Sequence, residues 1–199
     1  MGIKFAVAAE PDLVLALAFK TRVNAARVLA GWWRPRRDAV AAIEDVGERR
    51  AALEDLYEER NTLRRAGVLL DTADAIITCH LHLEMIERGW DHDNWPPAPS
   101  VPGRPLGSRN NSGRKWTGRL QVRLDDHLAV RLQRATHHAS APATRALQEL
   151  AAYPNDHPDR EELASQIITP GDLLRAALVR ATCDMFPSTR PTPTQPPHP

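Results

Sequence analysis

The chain has 199 residues, a net charge of +1 and 42% hydrophobic residues, enough for one core or for two small units joined by a linker. Aromatics make up only 5%, so the core must be built mainly from Leu, Ala and Val, a composition that suits helices. Cys79 and Cys183 stand outside any CxxC pair, which excludes a disulfide framework and a structural zinc pattern and points to a reducing cytoplasm. The longest clean apolar run, Leu13–Phe19, falls far short of the roughly 20 residues of a membrane span. Lys4, Glu10 and Asp12 interrupt what would be the apolar region of a signal peptide, so a soluble intracellular protein is expected.

Residues 10–90 read as four helices separated by glycines and arranged as an antiparallel bundle. Asp12 caps the first, which runs to about Ala30 with Gly31 as its stop. Arg34-Pro35 opens the second, which carries Val40 and Ile43 and ends near Gly47. The third runs from Glu48 to Ala66, with Leu53, Leu56, Tyr57 and Leu63 on one face, a charged opposite face, and Gly67 closing it. The fourth, capped by Asp71 or Thr72, carries Ile76, Ile77, Leu83 and Ile86 and stops at Gly89.

The composition then changes. Prolines from Trp95 to Pro105 place a linker at about 91–102, and Pro187–Pro199 reads as a disordered tail. Charge is distributed unevenly: Glu44–Glu59 is acidic, whereas Gly103–Arg123 holds five arginines, one lysine and no acid. Such a basic stretch is the usual footprint of a polyanion partner, the competing reading being a solvated linker. The expected units are 1–90, a helical bundle; 91–118, a linker and basic arm; 119–186, a DNA-binding unit; and the tail 187–199.

Gly103-Arg104-Pro105, followed by Leu-Gly-Ser-Arg109, resembles an AT-hook, although Pro102 stands where that motif usually has an arginine. The resemblance implies an arm that follows the narrow, negative A·T-rich minor groove, with Arg104, Arg109, Arg114 and Lys115 on the groove or the DNA backbone. Next, Arg119-Leu120-Gln121-Val122-Arg123-Leu124 alternates polar and apolar, the period of a strand with one wet face. It reads as the only strand in the chain. A lone strand leaves its backbone groups unpaired, so a second copy is expected to pair with it in a dimeric ribbon. Asp125 or Asp126 then caps a helix with Leu128, Leu132 and Ala135 on its apolar side, and His137-His138 falls near its end. Farther on, Thr169 caps a helix with Pro170 at its first position, Asp172 in its first turn and Leu173 or Leu174, Ala177, Leu178 and Ala181 as its core face.

A strand, a helix and a well-capped second helix resemble the ribbon-helix-helix family of repressors, the family of the Arc and Met repressors. The resemblance implies a dimeric ribbon in the major groove, with Arg119, Gln121 and Arg123 contacting base edges. Arginine matches guanine O6/N7 and glutamine matches adenine N6/N7. It also implies a phosphate held by backbone N–H groups at the second helix, here Thr169 and Gly171. The family joins its helices by a short turn, whereas here about Ser140–Ile167 intervenes, itself helical in pattern, with Pro154 and Pro158 as breakers.

Other signals weigh less. His80-Leu81-His82 matches the paired histidines of nicking endonucleases, but it sits within helical sequence, where residues two apart face different ways. Trp32-Trp33-Arg34 reads as a helix-end anchor. No phosphate loop, dinucleotide fingerprint, serine elbow or carboxylate pair appears, so a non-enzyme without cofactor or metal is expected. The fold expected is mainly α, a bundle followed by a ribbon-helix-helix-like unit with one strand and a helical insertion. The function expected is sequence-specific binding of double-stranded DNA by a homodimer, in transcriptional regulation or an accessory role on a plasmid or phage, with the N-terminal helices free for a protein partner. The alternative is a helical protein–protein adaptor with a solvated basic linker.

Overall fold

From Ile3 to Ala9 every second residue is apolar, with Lys4, Ala6 and Ala8 between, and this alternation folds as a strand, β1 (Gly2–Ala9). A computed structural model describes residues 2–98, 116–150 and 158–183. After β1 come α1 (Pro11–Val28), a π-helical turn (Leu29–Trp33), α2 (Arg34–Ala41), α3 (Val46–Arg65) and α4 (Ala73–Glu87). The second strand, β2 (Gly118–Asp125), leads into α5 (Asp126–Glu149), α6 (Pro158–Ser165) and α7 (Pro170–Cys183). The described residues are therefore mainly helical, with one two-stranded antiparallel sheet among them. Among the described residues no helix is long and apolar enough to cross a membrane. The basic arm with Arg104, Arg109, Arg114 and Lys115, and the tail 187–199, lie outside the described residues.

One expectation is overturned at once. Arg119–Leu124 is not the only strand, and its partner is not a second copy: β1 of the same chain pairs with it from Gly2↔Asp125 to Ala9↔Gly118. The pairing satisfies β2 internally, so the ribbon places no demand for a dimer on the chain. Its apolar face, Val7, Ala9, Leu120, Val122 and Leu124, is buried on α4 and α7, which pack against each other. The same hydrophobic cluster takes in Leu17 of α1, Ile76, Ile77, Leu81 and Met85 of α4, Leu128, Leu132 and Ala135 of α5, and Leu173, Leu174, Ala177 and Leu178 of α7. Residues from both sides of the expected linker thus share one core. Trp95 of that linker packs on it too, stacked between His92 and His138.

Local signals set several helix ends as expected. Gly67 and Gly89 take positive φ, +73° and +68°, just beyond α3 and α4. Thr72 caps α4 and Asp125 caps α5, each accepting a backbone N–H three residues on. Gly31 behaves differently. The backbone stays right-handed through the flanking residues, and the π-helical turn carries α1 into α2 without a stop. A π turn adds a residue to the helical circuit and so re-aims the side chains beyond it. Here it turns Trp33 inward, against Tyr57 with ring centroids 5.1 Å apart and under the Arg60 guanidinium at 4.5 Å. Asp12 lies in the first turn of α1 and Glu10 takes the cap position. On α4 the buried face is Ile76, Ile77, Leu81 and Met85, leaving Leu83 and Ile86 exposed.

The α2–α3 hairpin is tied back to α4 through one carboxylate. Asp71, only 3% exposed at its side chain, receives Arg60 Nη2 at 2.6 Å and Arg64 Nε at 2.8 Å. Burial by itself would raise the Asp71 pKa, but the hydrogen bonds and charges of Arg64 and Arg60 more than offset it and hold the carboxyl below its ordinary value. A depressed carboxyl stabilises the fold fully above its unfolded pKa of about 4, and that contribution is lost as pH falls through the folded value. Asp71→Asn is expected to destabilise the chain by about 2–4 kcal/mol at pH 7, because it strands two partly buried arginines. In thermal melts the gap between wild type and variant is expected to narrow as pH drops below about 4; a gap unchanged from pH 7 to pH 2 would contradict the assignment.

Candidate nucleic-acid interface

The pairing register decides which side chains share the outer face of the ribbon. Across the sheet Lys4 faces Arg123, Ala6 faces Gln121 and Ala8 faces Arg119, and all six are exposed. Opposed residues on one face of an antiparallel pair sit about 4.5–5.5 Å apart at Cβ. Two cations therefore meet at one end of the face, an amide lies at its centre, and a single cation beside a methyl group occupies the other end. Asp125 ends this row of residues at the ribbon terminus, where its side chain caps α5.

Both outer edges of the ribbon are held from below. In an antiparallel pair, alternate residues turn their backbone groups away from the partner strand. On β2 the Arg123 N–H so turned donates to Asp74 Oδ1 of α4 at 3.1 Å. On β1 the Ala8 carbonyl accepts from Arg175 Nη1 of α7 at 3.2 Å. Arg175 also lies over the Trp116 ring, 5.5 Å from its centroid, and pairs with Asp172. The N-terminal parts of α4 and α7 thereby contact opposite edges of the same ribbon.

These contacts expose a correspondence between two halves of the chain. Buried Val7 and Ala9 just before α1 match buried Val122 and Leu124 just before α5, with Glu10 and Asp125 in the cap positions. Exposed Lys4, Ala6 and Ala8 match Arg119, Gln121 and Arg123. Thr72, Ile76, Ile77 and Leu81 of α4 match Thr169, Leu173, Leu174 and Leu178 of α7, and α4 touches the β2 edge as α7 touches the β1 edge. Each half is a strand, a helix and, after a helical insertion, a second helix. The Ala6↔Gln121 pair marks the midpoint of this approximate two-fold relation.

The long segment before α7 has an explanation in this arrangement. The helix that begins at Asp126 does not end near His137-His138; it runs through Pro142 to Glu149. Pro158 begins α6 instead of breaking it, as proline can at a first helical position. Ser140 Oγ donates to the Ile168 carbonyl at 3.0 Å and accepts the Ile168 N–H at 2.9 Å. Both ends of the insertion are thus pinned together, and α7 departs from the middle of α5.

Of the residues expected at the interface, the structure brings Arg119, Gln121 and Arg123 onto one exposed face. Thr169 and Gly171 lie at the start of α7, with the Arg175 guanidinium beside Gly171. Thr169 is occupied within the chain: its N–H and hydroxyl both donate to Asp172 Oδ2, at 2.8 and 2.6 Å, in a reciprocal cap. Sequence reasoning missed Lys4, Ala6 and Ala8. Their signal was the alternation of Ile3, Phe5 and Val7, masked because alanine occupies both faces of β1. His80-Leu81-His82 lies inside α4, with Leu81 fully buried, and burial together with the Arg131 charge lowers the His82 pKa.

No protein-family model, curated protein or solved structure matches the chain.

The register itself rests on a close approach. A Cβ on Gly118 would lie 2.8 Å from the Ala9 carbonyl oxygen and 3.0 Å from the Pro11 nitrogen, both backbone atoms that cannot swing aside. Gly118→Ala is expected to force the strands apart at that end and cost about 1–3 kcal/mol. Chemical denaturation reads the loss; a stability equal to wild type would mean that the strands do not approach here.

Proposed function

We propose that this protein binds double-stranded DNA through the exposed face of the β1–β2 ribbon, as a ribbon-helix-helix-like unit built from two halves of one chain. The observation that carries the reading is that Lys4, Arg119, Gln121 and Arg123 share one solvent-facing surface on a rigidly supported two-stranded ribbon. The major groove of B-DNA admits such a ribbon, and arginine, lysine and glutamine have the donors that guanine and adenine edges require. The helix-supported edges at Ala8 and Arg123 keep the face in a fixed attitude, as base readout requires. The Ser140–Ile168 clasp supports treating the segment before α7 as an insertion within the second half.

The role we assign is transcriptional regulation or an accessory DNA-binding task on a plasmid or phage, without catalysis. The basic residues Arg104, Arg109, Arg114 and Lys115 directly precede β2 in sequence and would add phosphate or minor-groove contacts. Thr169 has no spare amide for a phosphate, so a contact at the start of α7 would fall to the Gly171 N–H or to Arg175. A second reading, an adaptor for another protein, draws on Leu15 and Phe19, one turn apart on α1 and 71% and 56% exposed.

Fluorescence anisotropy with labelled duplexes, read against salt, separates the two. The DNA reading expects affinity to fall steeply as salt rises, with Arg119→Ala and Arg123→Ala each weakening binding to a preferred sequence by about ten-fold or more. Both positions are exposed, so the variants should melt like wild type. Failure to bind any duplex at low salt would sink the DNA reading and leave the adaptor.

A further inference from the structure

If the ribbon is the DNA-reading surface, its two strands do not carry the same text. In a ribbon made from two identical chains, corresponding positions hold identical residues, and the preferred site is a palindrome that mirrors the two-fold axis. Here the corresponding positions are Lys4 with Arg119, Ala6 with Gln121 and Ala8 with Arg123. Only the first pair is alike in chemistry: Ala6 lacks the amide of Gln121, and Ala8 lacks the charge of Arg123. The β2 half offers two guanidinium groups and an amide, all hydrogen-bond donors to base edges. The β1 half offers one ammonium and two methyl groups.

We propose, resting on the DNA reading above, that a single chain occupies a DNA site alone and that this site is asymmetric. Lys4 and Arg123 converge at one end of the face, which directs that end to a guanine-rich step through N7 and O6 acceptors. Arg119 and Ala8 converge at the other end, where one guanine contact and one thymine methyl contact fit. Gln121, across from Ala6 at the centre, selects adenine. From Arg119 to Arg123 the strand advances about 13 Å, so the face reads on the order of four base pairs.

Three structural features carry the stoichiometry. β2 has its partner strand within its own chain, both ribbon edges receive contacts from α4 and α7, and the apolar side of the ribbon is already covered by those helices. The ladder between the two strands is complete within one chain. The charge of the outer face also differs from end to end, so the chain has a preferred direction along the groove.

The test begins with selection of the full chain's preferred duplex from a randomised pool. Affinity is then compared for that duplex and for two palindromes made by repeating either of its halves, and sedimentation gives the mass of each complex. The proposal expects one chain per duplex and a loss of about ten-fold or more for either palindrome, the discrimination supplied by one good base contact. The double variant Ala6→Gln, Ala8→Arg matches two of the three corresponding positions and leaves Lys4 against Arg119, alike in charge, so it should shift preference toward the palindrome built from the β2-contacted half. Two chains on a palindrome, or equal affinity for the selected duplex and both palindromes, would overturn the proposal while leaving DNA binding intact. Recovery of no duplex at all would instead overturn the DNA reading on which it rests.

Discussion

The pairing of β1 with β2 is the constraint on which the remaining architecture depends. It joins residues 2–9 to residues 118–125, so the chain must close a loop of more than a hundred residues before a single ladder hydrogen bond forms. What makes the closure worthwhile is the apolar side of the ribbon. Val7, Leu120, Val122 and Leu124 gain their burial only when the strands are in register and α4 and α7 lie beneath them. A slip of β2 by one residue would turn Leu120, Val122 and Leu124 to water and bring Arg119, Gln121 and Arg123 into the core. Register, burial and the composition of the outer face are therefore one decision, and Gly118 holds it at the end where β2 runs closest to Ala9 and Pro11.

From that ribbon the helices run in two parallel series. α1 and α5 leave the ends of the strands directly, and α4 and α7 return beneath them to meet each other. The intervening residues are accommodated outside the core. In the first half they form the α2–α3 hairpin, tied back by Arg60 and Arg64 on Asp71. In the second they extend α5 and add α6, with the ends closed by Ser140 and Ile168. Long insertions are tolerated because loop-closure entropy grows slowly with length and because each is anchored by a specific polar contact at its base. The two insertions differ in size and shape, which is why the halves are hard to see as repeats in the sequence.

On the proposed reading, the same asymmetry reaches the surface. A ribbon assembled within one chain is free to vary its two strands independently, so its outer face need not be symmetric. The rigid parts are the ladder and the two edge contacts, Arg123 N–H to Asp74 and Arg175 to the Ala8 carbonyl. The variable parts are the six outward side chains, each of which can change without disturbing the core.

Much of this protein was legible in its sequence, and the legible parts are local. Alternation of Leu120, Val122 and Leu124 with Arg119, Gln121 and Arg123 marks β2 and its wet face. Thr72, Asp125 and Thr169 mark helix starts, and Gly67 and Gly89 mark ends, because capping is chemistry between residues three or four apart. Gly31 misled because a glycine permits a helix stop without requiring one, and the packing of Trp33 on Tyr57 and Arg60 favoured a π turn instead. β1 was hidden because Ala6, Ala8 and Ala9 give no contrast between its faces. On α4 both Leu81 with Met85 and Leu83 with Ile86 have helical spacing, and only contact with α7 and the ribbon selects the first pair. The sequence by itself determined most of the helical segments, the caps at Thr72, Asp125 and Thr169, and the polar face of β2. The tertiary structure decided that β2 pairs within its own chain and that Lys4 joins its face, because strand pairing is a contact between distant residues that leaves no mark on either neighbourhood alone.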